Sequence, residues 1–138
     1  MIQTSKSPQD RKLEGEPVVT TMTIFDSVEE NLHYPGVMDV SPEELSQRLG
    51  SVFLVDVRQG EEFKGDLGHI PGAHLIVLDT LEENLDKLPK NQTIVFVCRS
   101  GGRSARASMI ATENGFKNVY NLKGGMILWN DLHLETEI

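Results

Sequence analysis

Three four-residue apolar runs, Val52 to Val55, Leu75 to Leu78 and Ile94 to Val97, constrain the fold of this chain more than any other feature. None alternates polar with apolar residues, as a strand with one wet face does. Continuous runs of this length, bounded by polar turns, suit strands buried on both faces. The segments between them have a different period. Asp79 to Leu88 sets Leu81, Leu85 and Leu88 at helical spacing, and Ser104 to Asn114 has helical length with a stop at Gly115. Upstream, Val37 to Val40 suits a short strand. Ser41-Pro42-Glu43-Glu44 follows with a capping-box pattern and proline at the first helical position, so a helix is expected to about Leu49, ended by Gly50. Asn118 to Leu122 reads as a further strand and Met126 to His133 as a last helix. Strands alternating with helices predict an α/β domain around a largely parallel sheet.

Residues 1–36 are polar, carry Pro8, Pro17 and Pro35, and show no sustained apolar period. They are expected to form an extension with little structure of its own, apart from one short ordered piece near Thr23 to Leu32. The compact domain is expected over residues 37–138. A chain of 138 residues suits a single domain, and its net charge of −8 argues against nucleic acid as a partner, because a phosphate backbone would be repelled. No window approaches the ~18 apolar residues of a membrane span. The first residues lack the apolar core of a secretory signal, so a reducing cytoplasm is the expected compartment.

The single cysteine, Cys98, excludes an internal disulfide framework and a four-cysteine metal site. It stands where an apolar run ends, in Ile94-Val-Phe-Val-Cys-Arg-Ser-Gly-Gly-Arg-Ser-Ala-Arg-Ala107. Parallel α/β sheets gather ligands at the carboxyl ends of their strands, and both Cys98 and Asp56-Val57-Arg58 fall there. A tight turn leading into a helix near Ser104 can aim successive backbone N–H groups at one point. The first helical amides add the positive end of the helix dipole. Gly101 and Gly102 let the backbone curl, while Arg99, Arg103 and Arg106 make a basic patch in an acidic protein. Helix N-termini and nearby cations favour the thiolate of a cysteine, which is its nucleophilic form. The turn therefore reads as a site for covalent thiol chemistry on anionic substrates. An inert cysteine packed at a strand end is the rival reading, and it accounts for neither the glycines nor the arginines.

These residues make the chain resemble a single-domain rhodanese, a sulfurtransferase of the thiosulfate or persulfide type. Four motifs, from about residue 37 to 131, occur in the family's order. They are Leu54-Val55-Asp56-Val57-Arg58 with Glu61-Glu62-Phe63, then Gly68-His69-Ile70-Pro71-Gly72-Ala73, then Val97 to Ser104, then Leu122-Lys123-Gly124-Gly125 with Trp129. The resemblance implies a doubly wound α/β domain with a five-stranded, mainly parallel sheet flanked by helices. It implies that Cys98 takes a sulfane sulfur from a small anionic donor, thiosulfate or a persulfide, and yields it to cyanide, a thiol or a protein acceptor. Arg99, Ser100, Gly101, Gly102, Arg103 and Ser104 would then bind the anion. No cofactor or metal is implied, and His33, His74 and His133 lie at no metal-ligand spacing.

Asp56 and Arg58 read as an internal ion pair or turn support at a strand end, and His69 as a structural hydrogen-bonding residue rather than a base. Two other functions share the loop chemistry. One is a rhodanese-like module that carries or senses sulfur without turnover. The other is a cysteine-dependent phosphatase or arsenate reductase. The related phosphatases place five residues between cysteine and arginine, whereas four separate Cys98 from Arg103. The chain departs from the family pattern in its long lead and in its ending after Trp129, which lacks a Gly-Leu-Pro type sequence.

Overall fold

The apolar runs Val52 to Val55 and Ile94 to Val97 are strands with packed neighbours on both faces. The computed structural model describes residues 24–138, and the part of the expected poorly structured extension before residue 24 lies outside the described residues. Six strands, β1 (Val28–Glu30), β2 (Met38–Val40), β3 (Val52–Asp56), β4 (His74–Leu75), β5 (Thr93–Val97) and β6 (Val119–Leu122), form one sheet in the order β1-β2-β6-β5-β3-β4. The five strands from β2 to β4 pair in parallel, as the family resemblance implied, and β1 adds an antiparallel edge. Helices α1 (Pro42–Ser46), α2 (Gly60–Phe63), α3 (Gly102–Glu113) and α4 (Gly125–Asp131) complete the domain.

Strand β5 shows why alternation is missing from the sequence. Val95 and Val97 join one core cluster with Leu54, Leu122, Met126 and Trp129. Ile94 and Phe96 point the other way, into a second cluster with Val55, Ala107, Ala111 and Phe116. Both faces are dry, so both parities must be apolar. Helix α3 buries Ala105, Ala107, Ser108 and Ala111, small residues that let its axis lie close to the sheet. Among the described residues, no helix is long and apolar enough to cross a membrane.

Three elements differ from expectation. The run Leu75 to Leu78 supplies only the two-residue edge strand β4, whose residues are exposed, and Leu78–Thr80 turns into a 3-10 helix. An edge strand pairs on one side and needs no second buried face. The expected helix from Asp79 to Leu88 is instead the 3-10 helices Leu78–Thr80 and Glu82–Lys87, and the buried Leu81 and Leu88 flank the second of them. Helix α1 ends at Ser46, and Leu49–Ser51 forms a separate 3-10 turn.

Packing also begins before residue 37. Phe25 is buried edge-on against Tyr120 with ring centroids 5.1 Å apart, and β1 lies in the middle of the Thr23 to Leu32 stretch. The capping box explains part of this. Ser41 Oγ accepts from the Glu44 amide at 3.2 Å, as the sequence suggests. The Glu44 carboxylate, however, accepts from the amides of Asp26 and Ser27, holding the N-terminal segment onto the domain. One buried aromatic and a three-residue strand carry no period that a sequence scan can detect.

Candidate active site

The register of β3 and β5 places the two chemical stretches side by side. Asp56 pairs with Val97, so Arg58 and Cys98 both leave the carboxyl edge of the sheet at adjacent strands. Beyond β5 the chain turns at Gly101, whose φ of 106° precedes α3. This left-handed conformation is costly for residues with a Cβ. Gly102 has an ordinary φ, and a Cβ there would meet open space. Only Gly101, then, answers to the backbone requirement expected of both glycines.

The turn folds back over the sulfur. Cys98 is 1% exposed, and its Sγ accepts from the Gly101 amide at 3.1 Å. Ser104 Oγ lies 3.2 Å from the same sulfur. Helix geometry leaves the amides of Gly102, Arg103 and Ser104 without intrahelical acceptors, so the positive end of the α3 dipole faces this turn. On the other side of the loop, the amides of Met126 and Ile127 donate to the carbonyls of Cys98 and Arg99 at 2.9 and 3.0 Å. Drawing those carbonyls toward α4 leaves the amide side of the turn to the sulfur.

That docking requires Gly125. Its φ is +59°, and a Cβ there would lie 2.5 Å from both the Cys98 and Arg99 carbonyl oxygens. Because the obstruction is backbone, relief means moving the loop or α4. Gly125→Ala is therefore expected to destabilise the fold by about 2–5 kcal/mol, combining left-handed strain with overpacking. Urea unfolding would measure it, and a variant as stable as the parent would refute this account of the loop.

The arginines divide into engaged and exposed groups. Arg103 makes a two-pronged ion pair with Glu62 of α2, each N–O distance 2.8 Å. Glu62 also accepts from the Gln59 amide at 2.9 Å. The Arg103 hydrogen bond is the main reason the Glu62 pKa falls to about 2 from 4.5, and Glu62 in turn raises that of Arg103. A carboxyl with a depressed folded pKa contributes stability above about 4.5 that is lost as pH falls toward about 2. Since both side chains are partly exposed, the contribution is at most about 1 kcal/mol. The stability gap between the parent and Glu62→Gln should accordingly close across that acid window. A gap independent of pH would show that the pair does not act through charge.

Arg99 and Arg106 are exposed. Arg99 joins Arg58, Glu62, Gly65, Asp66 and Leu67 around a cleft of about 210 Å³. Ser100, Gly101 and Gly102 line a second depression, about 400 Å³, whose opposite wall includes residues 31–34. Asp56 and Arg58 form the buried ion pair read from the sequence. Arg58 Nε and an Arg58 terminal nitrogen bond the Asp56 carboxylate at 2.9 and 2.8 Å, and that nitrogen also reaches the Gly68 carbonyl at 2.8 Å. His69 stacks on Phe63 with centroids 3.7 Å apart, and its Nδ1 is 2.8 Å from the Phe63 carbonyl oxygen. Its backbone bridges to Glu137. These contacts fasten the segment before β4 to α2 and the C-terminus, and none involves the cysteine loop.

Three residues at the site were not singled out from sequence. Glu62 lay inside a recognised motif but had no visible partner. Asn121 and Asp39 belong to a polar chain that reaches Ser104. Their only trace was Asn121 itself, an amide in a strand whose four residues are all buried.

A parallel α/β sheet carrying a cysteine turn at the carboxyl end of a central strand, folded over the start of a helix, defines a class of cysteine-loop domains. Residues 41–132 match the Rhodanese-like domain, and the chain belongs to that family. It is 36% identical over 96 residues to a protein named Sulfurtransferase from Allochromatium vinosum, covering 67% of this chain and 88% of that one. With the thiosulfate sulfurtransferase GlpE of Shewanella oneidensis it shares 35% identity over 81 residues, covering 59% and 78%. Among solved structures, a rhodanese-like domain protein from Staphylococcus aureus aligns with a TM-score of 0.63 at 37% identity, over 72% of this chain and 98% of that one.

Proposed function

We propose that this protein is a sulfurtransferase in which Cys98 carries sulfane sulfur as a persulfide. The observation that carries this reading is the Cys98 sulfur under the Gly101 amide and the Ser104 hydroxyl, beside the first turn of α3. The Cys98 thiolate attacks the outer sulfur of thiosulfate. A new S–S bond forms, the bond between sulfane and sulfonate sulfur breaks, and sulfite leaves with that electron pair. Cyanide or a thiolate then attacks the terminal sulfur, releasing thiocyanate or a new persulfide and restoring the Cys98 thiolate. Charge is conserved in each half-reaction, so neither a redox cofactor nor a metal is needed.

Exposed Arg99 at the cleft suits an anionic donor, and so does the name of the Shewanella relative. Arg103 serves by bracing: its guanidinium is committed to Glu62, which ties the start of α3 to α2. The same commitment disfavours the phosphatase alternative, because a phosphate dianion would have to take that guanidinium from its carboxylate.

Thiosulfate should add about 32 Da to the intact protein, and cyanide should remove it as thiocyanate. No mass gain from thiosulfate or from a low-molecular-weight persulfide would overturn the proposal. Uptake followed by negligible release to cyanide or thiols would identify a sulfur carrier rather than a turnover enzyme. Hydrolysis of an aryl phosphate without sulfur uptake would select the phosphatase reading.

A further inference from the structure

Asn121 is 1% exposed, and a buried amide must place its polar atoms. Its Nδ2 donates to Asp39 Oδ1 at 2.9 Å, and its Oδ1 accepts from the Ser104 hydroxyl. The orientation is dictated from one end. An ionised carboxylate only accepts, so the amide edge toward Asp39 must be the NH₂, which turns the carbonyl oxygen toward Ser104. Asp39 is itself held by Asn31, whose Nδ2 lies 3.0 and 3.3 Å from its two oxygens. Asn31 Oδ1 accepts in turn from the amides of His33 and Tyr34. The polarity of the whole chain is thus set by Asp39 and by a segment that precedes the matched domain.

Ser104 has one hydroxyl proton and two acceptors within reach, Asn121 Oδ1 and Cys98 Sγ. When the proton is on Asn121, the serine lone pairs face the sulfur and accept the S–H of a neutral thiol. A thiolate has no proton to give. The hydroxyl must then rotate and donate to sulfur, releasing Asn121. We propose that Asn121, oriented by Asp39, is a positioning residue that competes with the Cys98 sulfur for the Ser104 proton and so tunes the reactivity of the thiol. This rests on Cys98 being the sulfur carrier. The only atom lost is the S–H proton, which passes to solvent.

The charged groups on the elements around the loop are Arg99, Arg103 with Glu62, Arg106, Arg58 with Asp56, Lys123 with Glu29, and Asp39. Asn121→Ala changes the net charge of none of them but removes a donor from Asp39, so the comparison in a Ser104→Ala background is what isolates the serine hydrogen bond.

The test follows Cys98 alkylation by iodoacetamide across pH in the full chain, with intact mass after thiosulfate alongside. Asn121→Ala frees the serine proton for sulfur. Below the inflection, alkylation should rise by up to about tenfold, the net worth of one ordinary hydrogen bond, and the inflection of its pH profile should move lower. In Asn121→Asp the oxygen that replaces Nδ2 faces the Asp39 carboxylate, so the two share one proton and no net charge is added; Ser104 keeps its acceptor, and alkylation should stay within about twofold of the parent. Asp39→Asn, which preserves shape, should act in the direction of Asn121→Ala with a smaller effect. In a Ser104→Ala background, Asn121→Ala should change the rate by less than about twofold, whereas simple exposure of the sulfur would persist there. Slowing in Asn121→Ala, acceleration in Asn121→Asp equal to that in Asn121→Ala, or an undiminished effect without the serine would overturn the proposal. If the parent protein gains no sulfur, the sulfur-transfer reading fails, and the alkylation series still decides the relay by itself.

Discussion

Replacing Cys98 with serine is expected to leave a folded protein that gains no mass from thiosulfate and releases no thiocyanate. Nothing else in the chain can substitute, because Cys98 is the only cysteine. A serine hydroxyl stays protonated at neutral pH and cannot hold a sulfur atom in a labile bond. The expected loss is at least about 10³-fold, the scale seen when the nucleophile of a covalent mechanism is removed. The fold should survive, since a serine oxygen can accept from the Gly101 amide and from Ser104 as the sulfur does. A nearly unchanged melting temperature would confirm that chemistry, not folding, was lost. Persistent thiocyanate formation by Cys98→Ser would refute the persulfide mechanism outright.

The largest effect on stability is expected at Arg58. Asp56 and Arg58 are 0% and 1% exposed, and the guanidinium also reaches the Gly68 carbonyl. Arg58→Ala removes the countercharge and leaves a carboxylate in a dry interior, together with a cavity and an orphaned carbonyl. Breaking such a buried pair costs about 3–5 kcal/mol. Arg58→Lys should recover little, because an ammonium cannot span both carboxylate oxygens and the carbonyl in one plane. Replacing both partners, as Asp56→Leu with Arg58→Met, should recover part of the loss, since no charge is then stranded. Chemical denaturation of the four proteins separates these terms. A single-variant loss below about 1 kcal/mol would mean that the corner does not depend on the pair.

The cysteine turn was legible because it is local. Within seven residues the sequence places a strand end, a left-handed glycine and a helix start, and each depends on its immediate neighbours. The same locality made the Asp56–Arg58 pair readable, because two residues of separation allow a side chain to return to its neighbour. The contacts that adjust the site are distant in sequence. Arg103 meets Glu62 across 41 positions, and Asn121 meets Asp39 across 82. No spacing rule links such pairs, so Arg103 appeared free for substrate when its guanidinium is engaged elsewhere. Gly102 shows the reverse error, since a pair of glycines implied a shared backbone role that only Gly101 has.

The apolar runs Val52 to Val55 and Ile94 to Val97 determined strands buried on both faces, and the Cys98 turn marked the candidate site, because dry strands and tight turns are specified by residues close together in the chain. Tertiary structure alone decided that residues 24–36 pack onto the domain, that β4 is a two-residue edge, and that the hydroxyl nearest the sulfur is tied to Asp39. Those outcomes depend on which buried polar atom finds a partner once distant strands are side by side. That is a property of the assembled sheet, and no single segment contains it.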